Sequence, residues 1–288
     1  MDINVIIFSK DRTLQLKSLL LSMRENYPVP EKNIHIIYKN SLEGISYEPL
    51  KNEFSCNFIS QGDFLEDVKK TVHSVSGSYF QFMVDDLIIT DKVEPGRVVD
   101  FMNSHPETDS FCFRMGKNIK CGTQPEFSVP EKGIIMWETS KRYGKHWNYA
   151  WDVSSSLYRR KTVEEYLSKC RHDRETFPNP FEDHFYSCMP STKPLPVHVE
   201  LVNAVRFMFR KKSMRIASFE KSVCFTQGVN LVADIDDDRA QQYDPLTLHK
   251  KMLEGYIIDF RSLKDIYPEQ PNAGHTFFKL VRVSEPEL

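Results

Sequence analysis

Apolar residues come in short runs divided by polar turns, and the spacing within each run names the element. Residues 4–8 (Asn-Val-Ile-Ile-Phe) form a β-branched run broken at once by Ser9-Lys10-Asp11-Arg12, the pattern of a buried parallel strand ending in a loop. Leu16, Leu19, Leu20 and Met23 then recur at i, i+3, i+4 and i+7, a helix that Thr13 can cap and that Tyr27-Pro28-Val29-Pro30 stops. A second strand is expected over Ile34–Tyr38 and a short one at Phe58-Ile59. Asp63 with Glu66 has the form of a capping box, opening a helix whose inner face carries Leu65, Val68, Val72 and Val75, with Gly77 where a C-cap belongs. The run Tyr79-Phe80-Gln81-Phe82-Met83-Val84 reads as another buried strand and ends in Asp85-Asp86. Strand, helix, strand, helix, strand over roughly the first 85 residues is the alternation that builds a parallel sheet.

Further along, Pro95 opens a helix with Val98, Val99, Phe101 and Met102 that ends before Pro106, and strands are expected over 110–115 and 133–137. Thr162 and Glu165 have capping-box spacing for a helix with Val163, Tyr166, Leu167 and Cys170 inward. The loop Pro178-Asn179-Pro180 leads into Phe181-Glu182-Asp183-His184, where the acidic pair is expected to begin a helix. A strand over 197–205, an acidic run over 234–238 and a helix from Asp244-Pro245 to Gly255 complete the pattern. No internal repeat and no low-complexity linker is present.

Composition narrows the function. The 288 residues allow one large domain with a modest appendage. Lys+Arg 38 against Asp+Glu 40 leaves a net charge of -2, so no global basic field points to nucleic acid. No stretch reaches the ~18 apolar residues of a membrane span, and Met1–Arg12 lacks the basic and long apolar regions of a secretory signal. The six cysteines (Cys56, Cys112, Cys121, Cys170, Cys188, Cys224) form no Cys-x-x-Cys pair and are expected to be reduced thiols in a cytoplasmic protein.

In an open parallel sheet, ligands bind beyond the carboxyl ends of the strands. Three polar clusters fall at such ends: Ser9–Arg12, Asn40-Ser41 and Asp85-Asp86. Adjacent carboxylates closing an apolar strand repel each other and lose hydration, and a divalent cation is the simplest compensation. Hard oxygen ligands favour Mg²⁺ or Mn²⁺. Capping of the following turn, or plain exposure, is the competing explanation.

The order Val-Ile-Ile-Phe-Ser-Lys-Asp-Arg (residues 5–12), then a helix, then Gly77-Ser78-Tyr79-Phe80-Gln81-Phe82-Met83-Val84-Asp85-Asp86 resembles the donor half of the GT-A glycosyltransferases, particularly the family 2 type. That resemblance implies an α/β fold, a mostly parallel Rossmann-like sheet flanked by helices. It covers residues 3–205, giving a transferase domain over 1–205 (donor half about 1–115, acceptor half about 116–205) and a C-terminal extension over 206–288 packed on it. It implies a nucleotide contact by Phe8, Ser9, Asp11 and Arg12, a place for Asp85 at the ribose or metal shell, and direct ligation of Mn²⁺ or Mg²⁺ by Asp86. Val84 stands where the family's acidic triplet begins, Lys69 where relatives often carry Asn, and Tyr38-Lys39-Asn40 where an Asp often reads the base. Lys69 is a candidate diphosphate contact. Trp151-Asp152 lies in the acceptor-side segment, and in the later Glu182-Asp183 pair Asp183 inherits the general-base role with Glu182 beside it. Helix N-terminal acids that stabilise the dipole are the simpler explanation of that pair.

The implied activity is metal-dependent, inverting transfer of a sugar from a nucleotide-diphosphate donor, UDP favoured, to a glycan or lipid-linked sugar. A nucleotidyltransferase would need a Gly-rich signature after the first strand, which Ser9-Lys10-Asp11-Arg12-Thr13 lacks. A non-catalytic sugar- or nucleotide-binding relative is the other alternative. Asp234-x-Asp236-x-Asp238 opens like a calcium loop, but Arg239 and Pro245 occupy the positions of its Gly and Glu. His198 and His249 are weak candidates for a further metal ligand, and Trp137, Trp147, Trp151, Tyr143 and Tyr149 for a stacking platform, core packing being the commoner fate of such aromatics. The basic run Arg206–Lys212 with Arg215 could grip a diphosphate, or give peripheral contact with the inner face of a membrane when the acceptor is lipid-linked.

Overall fold

The computed structural model describes residues 2–139, 143, 145–149, 151–172, 176–188, 214–230 and 243–283. Strand β1 (Ile3–Lys10) is buried along almost its whole length, as its unbroken apolar run requires of a strand covered on both faces. It pairs in parallel with β2 (Ile34–Lys39) on one side and β4 (Tyr79–Val84) on the other, and β3 (Asn57–Ser60) adds in parallel to β2. Helix α1 (Thr13–Asn26) connects β1 to β2, and the short α2 (Glu48–Glu53) precedes β3. Helix α3 (Phe64–Ser74) leads into β4 and starts as the capping box predicts, Asp63 Oδ1 accepting the Glu66 N–H at 2.9 Å. Gly77 lies beyond the C-cap residue Val75, at φ 124°, where a side chain would collide with Asn4.

Strand β5 (Leu87–Ile89) and helix α4 (Pro95–Ser104) follow, then β6 (Ser110–Cys112), β7 (Ser128–Glu131), β8 (Ile134–Glu138) and β9 (Ser156–Arg159). Helices α5 (Arg160–Leu167) and α6 (Pro178–Cys188) come next, then β10 (Arg215–Phe219), β11 (Cys224–Thr226), α7 (Pro245–Leu253), β12 (Tyr256–Ile258) and β13 (Leu280–Arg282). The main sheet has nine strands in the order β3-β2-β1-β4-β9-β6-β10-β8-β7. Its β3-β2-β1-β4 half is wholly parallel; beyond β4 only β6 and β10 pair in parallel, and the remaining neighbours run antiparallel. The fold is thus α/β with a mixed sheet whose parallel half comes from the first 84 residues.

Three expectations need correction. Thr13 does not cap α1: it is the first helical residue, and its hydroxyl pairs with His249 Nδ1 at 2.7 Å. Helix α5 starts at Arg160, two residues before the Thr162 box, because Arg160 anchors it by donating to the carbonyls of Gly77, Val72 and Val75 at 2.6–3.0 Å. Helix α6 starts at Pro178, so Glu182 and Asp183 sit in its second turn instead of at its N-terminus. Strand β10, which falls in the C-terminal extension expected over 206–288, is an inner strand of the main sheet between β6 and β8. Residues 197–205, the basic run 206–212 and the acidic run 234–238 lie outside the described residues.

Helix α1 is covered by β5 and by α7 with β12. That is why its polar residues Thr13, Gln15, Lys17, Ser18 and Ser22 are as buried as its leucines. Two of these hydroxyls are fully paired: Ser18 Oγ accepts the Ile258 N–H at 2.9 Å and donates to Leu14 O at 2.8 Å, and Ser22 Oγ accepts the Ile89 N–H at 3.2 Å and donates to Leu19 O at 2.8 Å. A buried hydroxyl without partners would be destabilising by about 1–3 kcal/mol. Among the described residues no helix is long and apolar enough to cross a membrane. Among the described residues Cys56, Cys112, Cys121, Cys170 and Cys224 form no disulfide.

Candidate active site

The chain runs from β1 outward to β2 and β3, then returns to the opposite side of β1 with β4, so the crevice beyond β1 and β4 is the sheet's switch point. Arg12 and the Asp85-Asp86 pair meet there. Arg12 Nη1 lies 3.1 Å from Asp85 Oδ1 and 3.1 Å from Asp86 Oδ2, bridging the two carboxylates. Asp85 is 3% exposed, and its second oxygen accepts the Lys10 N–H at 3.2 Å. Burial pushes its carboxyl up to about 6, opposed by Arg12 and reinforced by Asp86. Asp86 is the more open of the pair, its side chain 14% exposed.

Arg12 is itself held from behind. Its Nε donates to Asn230 Oδ1 at 2.9 Å and its Nη2 to the Asn230 carbonyl, while Gln15 Nε2 shares Asn230 Oδ1 at 3.1 Å. The Gln227 N–H donates to the Asp86 carbonyl at 2.8 Å, tying the segment after β11 to the acidic turn. Gly228 stands beside it: a Cβ there would lie 3.9 Å from Asp86 Oδ2. Neither Gln15 nor Asn230 carried a sequence signal, because Asn230 is over two hundred residues from its partners Arg12 and Gln15.

Two adjacent carboxylates with one guanidinium leave the site one net negative charge. Hard oxygens of this kind fit Mg²⁺ or Mn²⁺, for which one or two protein carboxylates plus phosphate oxygens suffice. Among the described residues no group of three His, Cys, Asp or Glu side chains is close enough to form a full protein shell. His249 is committed to Thr13, and His198 lies outside the described residues.

The other donor-side residues divide by what their side chains do. Phe8 packs in the core against Phe64 and Phe82, with centroids at 5.0 and 6.1 Å, so only its carbonyl reaches the crevice, accepting the Asp85 N–H at 3.1 Å. Ser9 Oγ pairs with the Tyr47 hydroxyl at 2.8 Å, and Tyr47 stacks obliquely on Tyr38 at 4.5 Å. Asp11 adopts φ 55° and turns its carboxylate onto the loop after β2, accepting the N–H groups of Ser41 at 2.8 Å and Leu42 at 3.2 Å together with the Ser41 hydroxyl. It therefore joins two of the predicted strand-end clusters into one wall. Lys69 is half-buried on α3, with no carboxylate in ion-pair range among the described residues.

A second acidic cluster lies at the same end of the sheet, about 10 Å away by two strand spacings, beyond β6 and the start of β9. Asp152 is 3% exposed and its Oδ2 pairs with Arg114 Nε at 2.9 Å. Glu182 Oε1 accepts the Val153 N–H at 3.0 Å, and its side chain meets that of Asp152. Burial pushes the Glu182 carboxyl up to about 8, with Asp152 adding to the effect and Arg114 opposing it. Asp183, the next residue, is exposed. Tyr149 lies near both acids: burial, then Glu182 and Asp183, push its phenol up to about 12.

Trp151 and Asp152, expected at the acceptor, are inside the protein instead. Trp151 is fully buried, stacked on Tyr158 at 4.3 Å and on Phe185 at 4.9 Å, because the aromatic residues of β4, α5 and α6 converge on it. Trp137 and Trp147 likewise pack edge to face at 5.3 Å in a separate cluster and form no exposed platform. Arg114 lies near the end of the strand expected over 110–115 and just past the observed β6, so the strand-end rule could have singled it out.

No protein-family model matches the chain. It is 26% identical over 191 residues, 58% of its length, to the bifunctional glycosyltransferase pgtA of Dictyostelium discoideum, and spans about a quarter (25%) of that protein. Among solved structures, residues 1–349 of S. aureus TarS align over 78% of this chain and 60% of that one, at 12% identity and a TM-score of 0.47. The mannosyltransferase PcManGT from Pyrobaculum calidifontis, solved with GDP-Man and Mn²⁺, aligns over 61% and 49% at 10% identity and a TM-score of 0.36. A cytidylyltransferase from Leptospira borgpetersenii aligns over 65% and 73% at 9% identity and a TM-score of 0.38. Over its larger part the chain is thus similar in sequence to a glycosyltransferase, of which it spans a quarter.

Proposed function

We propose that the protein is a glycosyltransferase that moves a sugar from a nucleotide diphosphate to a hydroxyl of a glycan or glycolipid, with inversion at the anomeric carbon. The observation that carries the reading is the Arg12-bridged Asp85-Asp86 pair at the sheet's switch point. A wall of Ser9, Asp11 and Ser41 on one side, with Lys69 on α3, suits the nucleotide and its phosphates. Arg12, whose guanidinium holds Asp85, Asp86 and Asn230, keeps one Nη2 N–H to offer a diphosphate oxygen as a charge-assisted donor. Asp86, the more exposed carboxylate, would hold Mn²⁺ or Mg²⁺ with Asp85 behind it, and when bound the ion supplies Lewis-acid stabilisation of the departing diphosphate.

Asp183 takes the proton of the acceptor hydroxyl as that oxygen bonds to the anomeric carbon and the carbon–phosphate-oxygen bond breaks. A positioned base contributes roughly 10²- to 10⁴-fold. Attack from the face opposite the leaving group inverts the centre, the geometric rule that also governs inverting glycosidases. Exposure suits Asp183 to this role and burial suits Glu182 to holding the turn.

The test is a thermal-shift panel of UDP, GDP, CMP, dTDP and CTP, with and without Mn²⁺, on the wild type and Asp86→Ala, since a ligand of the folded state raises apparent stability by mass action. One diphosphate that stabilises only with Mn²⁺ and only with Asp86 intact supports the reading. Selective stabilisation by CTP would favour a nucleotidyltransferase, and no response from any nucleotide would leave a non-catalytic relative.

A further inference from the structure

Arg114 lies just past β6, and none of the chemistry above uses it. It is 8% exposed, and its Nε pairs with Asp152 Oδ2 at 2.9 Å. Asp152 holds its own loop: Oδ1 accepts the Ser154 N–H at 2.7 Å, Oδ2 accepts Ser156 Oγ at 3.3 Å and faces Cys112 Sγ at 3.7 Å, and its N–H donates to the Tyr158 hydroxyl at 2.6 Å. Within that loop the Val153 N–H grips Glu182 Oε1 at 3.0 Å. The Ser155 N–H meets the Phe82 carbonyl at 2.8 Å, and the Ser155 carbonyl accepts Gln81 Nε2 at 3.1 Å. One loop therefore clasps the end of β4, just before Asp85, and the second turn of α6. Ser155 holds φ 111°, which L-residues rarely adopt, so these contacts impose the loop's shape against local preference.

We infer that Arg114 and Asp152 are positioning residues: their ion pair fixes the 152–156 loop and, through it, where Asp183 stands relative to the Asp85-Asp86 end of β4. The inference rests on the reading of Asp183 as the base. A pair that only stabilised the fold would be replaceable by packed apolar side chains, as buried ion pairs often are, whereas a positioning pair would not.

Hydrogen exchange of the full chain tests this without any substrate. In Arg114→Lys, which keeps the charge but loses Nε, and in Asp152→Asn, amides 181–185 should exchange at least tenfold faster while those of β1–β4 are unchanged. Unchanged protection in 181–185, or a uniform rise throughout, overturns the inference. Should either variant fail to fold, Arg114→Met/Asp152→Leu leaves no orphaned charge and takes its place. Turnover is then followed as nucleoside diphosphate released from UDP-glucose, UDP-N-acetylglucosamine and GDP-mannose with water as acceptor. A tenfold or greater fall in kcat with donor KM within twofold is expected, and a wild-type kcat overturns the positioning role. If Asp183→Asn turns over normally, or no donor is consumed, the reading of Asp183 falls instead, and the exchange result alone decides whether the pair positions α6.

Discussion

Replacing Glu182 by glutamine should make the protein more stable, and only at neutral and alkaline pH. The carboxyl is held up to about 8, against an ordinary 4.5, chiefly by burial and then by Asp152. The native state therefore keeps a proton between those two values that the unfolded chain releases, and wild-type stability falls as pH rises through that window and levels off above about 8. At about 1.36 kcal/mol per pH unit, the full effect is bounded near ~5 kcal/mol. The half-buried side chain retains some contact with water, so screening leaves roughly 2–3 kcal/mol. Glutamine keeps an oxygen to accept the Val153 N–H and carries no charge, so Glu182→Gln escapes the loss. Urea denaturation of both proteins at half-unit steps from pH 4.5 to 8.5 should show superimposed stabilities at the acid end and a gap opening with pH, about 5–10 °C if read as Tm. A variant that is less stable at pH 8.5, or a gap that is the same at pH 5 and 8.5, would refute the proton assignment.

Three further outcomes separate the parts of the site. Arg12→Ala removes the cation already seated between Asp85 and Asp86, so Mn²⁺ without nucleotide should bind at least tenfold tighter, as free Mn²⁺ in electron paramagnetic titration will report; equal or weaker binding counts against a metal at this pair. Asp183→Asn should leave the nucleotide-induced thermal shift intact and lower the transfer rate by about 10²-fold or more, a split that a mere docking residue would not give. Trp151→Ala should cost about 3–5 kcal/mol and lower Tm whether or not ligand is present, because the ring is buried among Tyr158, Phe185 and Phe82; a normal Tm with weakened acceptor use would return Trp151 to the acceptor site.

What could be read from the chain is what short-range periodicity encodes. The β1–α1–β2 and β3–α3–β4 units follow from apolar runs, a capping box and strand-ending acids, all local signals, and strand-end placement was enough to single out Arg12, Asp85 and Asp86. β9 escaped because its four residues Ser156–Arg159 run straight into α5 with no turn between them. The helix start at Arg160 escaped for a related reason: a side chain reaching three distant carbonyls outweighed a local capping box. β10 looked like the start of an extension because nothing in Arg215–Phe219 tells which strands, a hundred residues earlier, it will lie between.

The same distance effect explains the division within the site. Asp85 and Asp86 are recognisable because two acids after an apolar strand are anomalous wherever they occur. Asn230, Gln15 and Arg114 are unremarkable as residues and acquire meaning only through partners far away: Asn230 meets Arg12, and Arg114 meets Asp152. Burial also changes the sense of residues that sequence did flag. Asp152, an acceptor candidate as a lone acid beside a tryptophan, spends both oxygens on Arg114, Ser154, Ser156 and Cys112 and has none left for a sugar. Glu182 and Asp183, indistinguishable as neighbours in sequence, face opposite environments on α6, one carboxyl sheltered and proton-loving, the other open to water. On the proposed reading the base must be reachable by the acceptor, and exposure favours Asp183 over the sheltered Glu182, a distinction that the order of the two letters cannot supply.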